Sequence, residues 1–394
     1  MFFLSRATSS AARQIVIVAV PLQVFAETGS SLAVGLIGAA QLVPLLAVAL
    51  IGGALADALD RRWLLIVGQA SIAITCVGLA VYALSDADPI WPVYVLVALN
   101  AVTFAVEQPT RTAVLPTIVS STDLPSALAL NQVLSQLSKA AVPALAGFMV
   151  VLFGYGTTFL AAASLAMIGS LAIQRIRALP RTGGGRAFGW KSISEGITYL
   201  RSEPLIKGAL IIDLNAMVFG MPSALFPEIG TEVLGGDAAT VGLLYSAAGI
   251  GAFAAALTSG WLRRVRRQGL TIIMSVVLWG LAIATFGFAT SIGLAVAMLA
   301  LAGAADVISA VFRNTVIQLT VSDELRGRIS SVHIATVAGG PRLGDLEAGV
   351  VASLTSTRFS VVSGGLACAL GTLLIGKLIP QLRLYESPDA THAP

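Results

Sequence analysis

Long apolar runs recur along nearly the whole chain and constrain its fold more than any other feature. A helix needs about 20 apolar residues to cross the roughly 30 Å hydrocarbon core of a bilayer, and the runs are of this length. Charged residues make up only 11% of the 394 residues and hydrophobic residues 56%, whereas soluble domains carry about 25% charged residues. The sequence therefore predicts an all-α protein that crosses the membrane many times and has no separate soluble domain.

The apolar runs predict twelve transmembrane helices. In the first half of the chain these cover residues 2–26, 32–56, 63–85, 92–114, 127–151 and 157–176. In the second half they cover residues 206–228, 240–262, 270–290, 293–319, 329–354 and 359–380. We therefore expect an N-terminal six-helix bundle (1–176), a cytoplasmic linker (177–205), a C-terminal six-helix bundle (206–381) and a polar cytoplasmic tail (382–394).

The linker is basic and contains a run of three glycines at residues 183–185. Within it Trp190, Ile193, Ile197 and Leu200 recur at helical spacing. This pattern predicts a short amphipathic helix, which lies either on the membrane surface or against the protein's own cytoplasmic face.

The placement of Lys and Arg predicts the orientation of the chain, because cytoplasmic loops are enriched in these residues. With both termini in the cytoplasm, the external loops carry Arg358 and several acidic residues. The cytoplasmic segments then hold Arg61, Arg62, the cations of the linker, Arg263, Arg264, Arg266, Arg267, Arg326, Arg328, Lys377 and Arg383. We interpret the basic cluster at 263–267 as part of this membrane anchor rather than as a nucleic-acid site.

Three features recur about 200 residues apart and indicate an internal repeat. They are the loops 53–62 and 260–264, Arg111 and Arg313, and Pro143 and Pro341. Repeats in this order and at this offset are typical of two six-helix halves in parallel repeat.

The loop at 52–62, between the second and third predicted helices, resembles the signature of the major facilitator superfamily. Five of its residues match the family pattern: Gly53, Leu55, Asp57, Arg61 and Arg62. Ala58 stands where the family has a basic residue and Asp60 where it has a glycine, so the loop departs from the family's charge relay at these two positions. The resemblance implies a gating role for this loop. The alternative is a plain hairpin turn whose arginines anchor the cytoplasmic face.

Short motifs narrow the resemblance to one branch of that superfamily. Residues 20–24, 257–260 and 325–329 resemble the siderophore-exporter (enterobactin exporter-like) branch, and drug-efflux relatives share many of these motifs. The resemblance implies the major facilitator fold in a bacterial inner membrane. It also implies secondary active export of a siderophore-like small molecule by alternating access coupled to proton antiport, with multidrug efflux as the alternative.

The same resemblance implies a monomer whose partners are membrane lipid and a small-molecule substrate. It implies no enzymatic activity and no cofactor, because a proton gradient drives transport. Residues 371–377 spell most of a phosphate-binding loop, but Leu378 replaces the Ser or Thr that would bind magnesium and the segment lies in a predicted helix. No metal site is expected, since His333 and His392 have no ligand partners in the sequence.

Proline and glycine interrupt the fifth and eleventh predicted helices. Pro143 and Gly147 retain part of the antiporter signature of the fifth helix, and Pro341 lies in a closer copy at 340–344. Such residues permit bending, so Pro143, Gly147 and Pro341 are candidates for gating, with helix packing as the alternative.

Ionisable residues inside the predicted helices are the best indicators of a pathway, because each costs several kcal/mol unless it is paired or hydrated. They fall on helices 1, 4, 5, 7, 10 and 11: Arg6, Arg13, Glu107, Arg111, Lys139, Asp213, Asp306, Arg313, Arg342, Asp345 and Glu347. In the superfamily helices 1, 4, 7 and 10 line the central cavity, so the resemblance places most of these charges along it.

Acidic members of this set are candidates for proton coupling, because a carboxyl group in a low-dielectric environment holds a proton more readily than in water. Asp213, Asp306 and Glu347 are predicted for this role. Cations outnumber acids, which suits an anionic or catecholate-like substrate. The predicted cavity contacts are Arg13, Arg111, Lys139, Arg313, Arg342 and Asp345. Local ion pairs, Glu107 with Arg111 and Arg342 with Asp345, are the alternative interpretation.

Overall fold

The computed structural model describes the chain except for residues 59, 86–88, 121, 177–197, 201–202, 322 and 387–394. Side chains are additionally left out at 49–58, 109, 112–113, 263, 323–328, 330–331 and 334. Every regular element of the described part is a helix, as the apolar runs predict. Most of the predicted linker helix lies outside the described residues.

Eleven long helices account for most of the described residues. They are α1 (Phe2–Thr28), α2 (Ser31–Ala58), α3 (Arg61–Leu84), α4 (Trp91–Ile118), α5 (Leu124–Gln174), α6 (Pro204–Phe219), α7 (Ala238–Leu257), α8 (Gln268–Phe286), α9 (Ile292–Thr320), α10 (Asp323–Leu354) and α11 (Thr357–Leu378). Every predicted transmembrane segment overlaps one of them. Helix α6 ends at Phe219 rather than at 228, and three short helical turns continue the chain: Ser223–Leu225, Phe226–Glu228 and Ile229–Val233. The break coincides with Pro222, whose ring cannot continue a regular helix.

Helix α5 contains two of the predicted transmembrane segments. At about 1.5 Å per residue, its 51 residues would span more than twice the hydrocarbon thickness if the helix were straight. Gly154 interrupts it with φ 75° and ψ 174°, a conformation that glycine adopts at least cost. Ala127 and Ile173, from opposite ends of α5, pack into one cluster with Phe2 and Leu65. The chain therefore turns back at Gly154.

Ten helices of the described part are long and apolar enough to cross a membrane. Helix α5 counts once among them, and α10 does not qualify; α10 carries Arg342, Asp345 and Glu347 within its length. The structure therefore shows a multi-pass helical protein, and the count of twelve spans stays a prediction.

Within each half of the chain, helices pack against one another, and many of the pairs are not consecutive in sequence. Helix α1 and helix α3 pack against α5, and α2 packs against α4. In the second half α9 packs against α7 and α8, while α6 packs against α10 and α11. The first and second sets of helices meet mainly along two contacts, α2 with α10 and α5 with α7.

Paired glycines lie at both of these contacts. A Cβ added to Gly35 of α2 would lie 3.1 Å from the Cα of Gly349 in α10, and a Cβ added to Gly147 of α5 would lie 2.9 Å from the Cα of Gly242 in α7. The backbone amide of Ala144 also donates a hydrogen bond to Ser246 Oγ across the second contact, at 2.8 Å. Because small residues let helix backbones approach closely, these pairs hold the two sets of helices together at the turns nearest the predicted external loops.

Candidate functional site

A buried carboxylate in the first half of the chain binds two arginines. Glu107 of α4 has no exposed side-chain surface and forms an ion pair with Arg111 one turn later, at 2.5 Å. Arg13 of α1 forms an ion pair with the other carboxylate oxygen, and Ser9 Oγ donates to Glu107 at 3.4 Å. The local pair that the i, i+4 spacing indicated is therefore present, and Arg13 joins it from another helix.

Arg6 adds a further cation on the same face of α1. Its Nε donates a hydrogen bond to Asn131 Oδ1 of α5 at 3.1 Å, and it interacts electrostatically with Arg13 and Arg111. We name Arg6, Arg13, Glu107 and Arg111 the first-half cluster. Three guanidinium groups there face one carboxylate, so the cluster carries a net positive charge.

A second cluster lies between α6 and α9. Asp213 and Arg313 form an ion pair at 2.8 Å, with side chains that are 0% and 3% exposed, and Arg313 also donates to Ser309 Oγ at 3.2 Å. Asp306, two turns before Arg313 on α9, interacts electrostatically with Arg313, Asp213 and Lys139. We name Asp213, Asp306 and Arg313 the second-half cluster. With both acids ionised, these three residues carry a net negative charge, opposite to that of the first-half cluster, and Lys139 of α5 is the further cation that acts on Asp306.

Phe104 of α4 contacts arginines from both halves of the chain. The guanidinium carbon of Arg13 lies 4.7 Å from the centre of the Phe104 ring. That of Arg342, from α10, lies 5.7 Å from the same ring. Both distances are in the range of cation–π contacts. Phe104 was not a sequence-predicted site residue, because a phenylalanine in an apolar helix gives no signal on its own.

Arg342 and Asp345 do not form the local ion pair that their spacing offered. Asp345 Oδ1 instead accepts hydrogen bonds from Ser223 Oγ at 2.5 Å and from the backbone amide of Ala224 at 3.0 Å. Arg342 Nη1 donates to the carbonyl oxygen of Ala338 at 2.7 Å. Among the described residues, no carboxylate lies within 4 Å of the Arg342 nitrogens.

Lys139 and Glu347 belong to neither cluster. The side chain of Lys139 is exposed, and the backbone of α5 at Lys139 contacts Gly249 of α7. Glu347 is half-buried on α10, two residues after Asp345. The structure thus brings Arg13 and Arg111 together in one cluster and places two of the three predicted proton carriers, Asp213 and Asp306, beside Arg313 in the other, while Glu347 lies apart from both.

The residues predicted for gating fall at helix ends and helix contacts. Gly53, Leu55 and Asp57 lie in the last turns of α2, where no side chain is described. Arg61 begins α3, and Arg62 donates a hydrogen bond to the carbonyl oxygen of Gln174 at the end of α5. Asp60, the departure from the family pattern, caps α3 by accepting a hydrogen bond from the Arg62 amide at 2.8 Å.

The two predicted helix-bending prolines lie inside long helices. Pro143 is buried in α5, and its carbonyl oxygen faces Gly242. Pro341 lies inside α10, directly before Arg342. Pro143 and Gly147 therefore lie at the contact between α5 and α7, which fits both helix packing and gating.

In the described part of the chain, no group of three or more His, Cys, Asp and Glu side chains is placed to hold a metal ion. Residues 371–377, which resemble a phosphate-binding loop in sequence, are part of α11. A phosphate-binding loop needs backbone amides that point at the ligand, and these are used within a helix.

Comparison with known proteins agrees with this architecture. The family model described as transmembrane secretion effector matches residues 5–392. The enterobactin exporter of Citrobacter koseri is 29% identical over 391 residues, which cover 98% of this chain and 92% of that protein. The enterobactin exporter of Shigella boydii is 28% identical over 396 residues, covering 99% and 94%.

Solved structures of transporters share the fold at low sequence identity. A mutant nucleoside transporter superposes with a TM-score of 0.76 at 14% identity, covering 97% of this chain and 98% of that one. A D-xylose–proton symporter gives 0.74 at 13% identity, covering 97% and 98%. A bacterial homologue of the lysosomal transporter Spinster, in an inward-facing and unoccupied conformation, gives 0.74 at 14%, covering 98% and 97%. The chain has the major facilitator fold and belongs to the transmembrane secretion effector family of transporters.

Proposed function

We propose that this protein exports an anionic siderophore of the enterobactin type across a bacterial inner membrane, by alternating access coupled to proton entry. The choice of substrate class rests on the net positive charge of the first-half cluster. Arg342 of the second half adds a further cation nearby, because it contacts the same Phe104 ring as Arg13. A buried cation excess in a low-dielectric environment favours an anionic ligand. The full-length similarity to enterobactin exporters supports the same substrate class.

Alternating access in this proposal uses the two contacts between the halves. The glycine pairs Gly35–Gly349 and Gly147–Gly242 hold them together at one end of the bundle. Rocking of the halves about a central site would separate these pairs and open that end. Pro143, Pro341 and the loop that contains Gly53, Leu55, Asp57, Arg61 and Arg62 are the proposed gating residues.

Proton coupling is assigned to the second-half cluster. A proton on Asp213 removes the charge that holds Arg313, and a proton on Asp306 removes the second negative charge nearby. Either event changes the electrostatic field that acts on Arg313 within the second half. Glu347 is the third proposed proton carrier, and no cofactor is needed because the proton gradient supplies the energy.

We also propose that the protein is a monomer with both termini in the cytoplasm. Its two helical bundles are at 1–176 and 206–381, with a linker at 177–205 and a tail at 382–394. The basic residues near the ends of helices support this orientation: Arg62 lies beside Gln174 at the end of α5, and Arg267 pairs with Glu386 near the tail at 3.4 Å.

Transport by inside-out vesicles tests the function directly. Vesicles that contain the protein should accumulate radiolabelled iron-free enterobactin when the vesicle interior is more acidic than the medium. Accumulation should stop when a protonophore collapses this gradient. A cationic dye, ethidium, is the parallel substrate for multidrug efflux. Accumulation of ethidium without enterobactin would refute the proposed substrate, and enterobactin transport that is indifferent to the gradient would refute proton coupling.

A further inference from the structure

The ring of Phe104 contacts two guanidinium groups, which come from two other helices. Arg13 is on α1, Phe104 on α4 and Arg342 on α10, with ring-centre distances of 4.7 Å and 5.7 Å. A third cation–π contact among the described residues, Arg358 with Phe288, is longer at 6.0 Å, and its phenylalanine is 57% exposed. The Phe104 group is therefore distinguished by its second cation and by its place between the halves.

The charges of the two arginines are incompletely compensated. Arg13 shares Glu107 with Arg111. Arg342 has no carboxylate within 4 Å among the described residues, and its Nε is buried without a hydrogen-bond partner. Asp345, the acid closest to Arg342 in sequence, accepts hydrogen bonds from Ser223 and Ala224 and attracts Arg342 only from beyond 4 Å. Two cations that contact the same ring repel each other in a low-dielectric environment, and an anion bound by both relieves that repulsion.

The aromatic ring restricts which anion fits best. Phe104 is half-buried, so part of its surface is free to contact a ligand. A ring in the ligand can stack with Phe104 and with the flat guanidinium groups, whereas an aliphatic anion of the same size cannot. We propose that Arg13, Phe104 and Arg342 form a subsite for an aromatic anion, with the anionic oxygens on the guanidinium groups and the ring against Phe104.

This subsite rests on the proposed function and gives it a specificity determinant. A catecholate siderophore presents aromatic rings with anionic oxygens, which is the chemistry the subsite selects. Because Arg13 and Phe104 belong to the first set of helices and Arg342 to the second, a ligand bound here contacts both halves. Its binding is thus sensitive to how the halves are arranged, as alternating access requires.

Equilibrium binding to the full-length protein in nanodiscs tests the subsite. The probes are radiolabelled dihydroxybenzoate, which is an aromatic anion, and cyclohexanecarboxylate, which is an aliphatic anion of similar size. The wild type should prefer dihydroxybenzoate. Phe104→Leu should weaken dihydroxybenzoate binding about tenfold, which corresponds to the loss of one stacking and cation–π contact, and should leave cyclohexanecarboxylate binding unchanged. Phe104→Tyr should retain the preference.

Two further variants complete the design. Phe288→Leu removes the exposed cation–π contact and is the matched control, with wild-type binding of both probes expected. Arg342→Lys keeps the charge but loses the flat guanidinium, so it should weaken the aromatic probe more than the aliphatic one. A wild type without preference for the aromatic probe would overturn the subsite even if the variants failed to fold, and so would equal losses of both probes in Phe104→Leu.

The two proposals fail in different experiments. Enterobactin transport by Phe104→Leu vesicles with an unchanged KM would remove the subsite and leave the exporter function intact. Aromatic-selective binding in nanodiscs without enterobactin transport in vesicles would support the subsite and refute the exporter function.

Discussion

Separating Asp213 from Arg313 should destabilise the protein strongly, because their ion pair is almost completely buried. Arg313 is 3% exposed, Asp213 is 0% exposed, and the atoms joined lie 2.8 Å apart. Removing one partner of a buried pair leaves an uncompensated charge and costs about 3–5 kcal/mol in soluble proteins. Asp213→Asn retains a polar group of the same size, and Arg313 keeps its bond to Ser309. We therefore expect the low end of that range, about 3 kcal/mol.

The double variant Asp213→Asn/Arg313→Gln separates the pair's own contribution from the cost of an orphaned charge. Since both charges are then gone, most of the lost stability should return, leaving a deficit of about 1 kcal/mol. Arg267 and Glu386 form the matched control pair. Their side chains are 74% and 58% exposed at 3.4 Å, so Glu386→Gln should change stability by less than about 1 kcal/mol.

Unfolding in mixed micelles with increasing SDS provides the measurement, with the fluorescence of the five tryptophans as the signal. The free energy of unfolding is compared between the wild type, the single variants Asp213→Asn and Arg313→Gln, the double variant and Glu386→Gln. Equal effects of Asp213→Asn and Glu386→Gln would refute the claim that burial makes the first pair important. A double variant less stable than either single variant would refute the idea that the orphaned charge carries the cost.

Two other perturbations give distinct outcomes. Gly147→Val introduces a Cβ close to the backbone of Gly242, so the α5–α7 contact should open and transport should fall by about tenfold or more. The control is Gly260→Val, whose Cβ would meet nothing within 4 Å, and it should transport normally. Equal transport by the two variants would contradict the role of the glycine pair. Asp306→Asn should abolish the dependence of enterobactin accumulation on the imposed pH gradient. Downhill flux, measured as efflux from preloaded vesicles, should remain. If Asp213→Asn, Asp306→Asn and Glu347→Gln all retained the pH dependence, these acids would be excluded as proton carriers.

The fold was largely predictable from the sequence because apolar length is a local property. The turn at Gly154 illustrates this: the predicted segments 127–151 and 157–176 already implied a reversal between them, and the structure places the non-helical residue there. The end of α6 at Phe219 was less visible, since the apolar run continues through the short turns to Val233. Hydropathy reports how apolar a segment is and not the backbone conformation that Pro222 imposes.

The charged site was predictable only where its partners are close in sequence. Glu107 and Arg111 stand one helical turn apart, so their pair could be proposed from spacing. Arg13 joins them from α1, and Asp213 finds Arg313 on another helix, which no local pattern encodes. The spacing of Arg342 and Asp345 even suggested a pair that does not form, because Ser223 and Ala224 satisfy Asp345 from a different segment.

The opposite net charges of the two clusters give the proposed exchange a physical basis. The first-half cluster carries three guanidinium groups for one carboxylate, so it stabilises an anion; the second-half cluster carries two carboxylates for one guanidinium, so it stabilises a proton. In the proposed cycle the two ligands therefore act on different halves. A bound anion also draws Arg342 of α10 toward Arg13 of α1, whereas proton loss from Asp213 restores its attraction for Arg313 within the second half. The anion acts across the boundary between the halves and the proton acts within one half. Binding of either ligand therefore shifts the balance between the two arrangements of the halves and so changes the affinity for the other ligand.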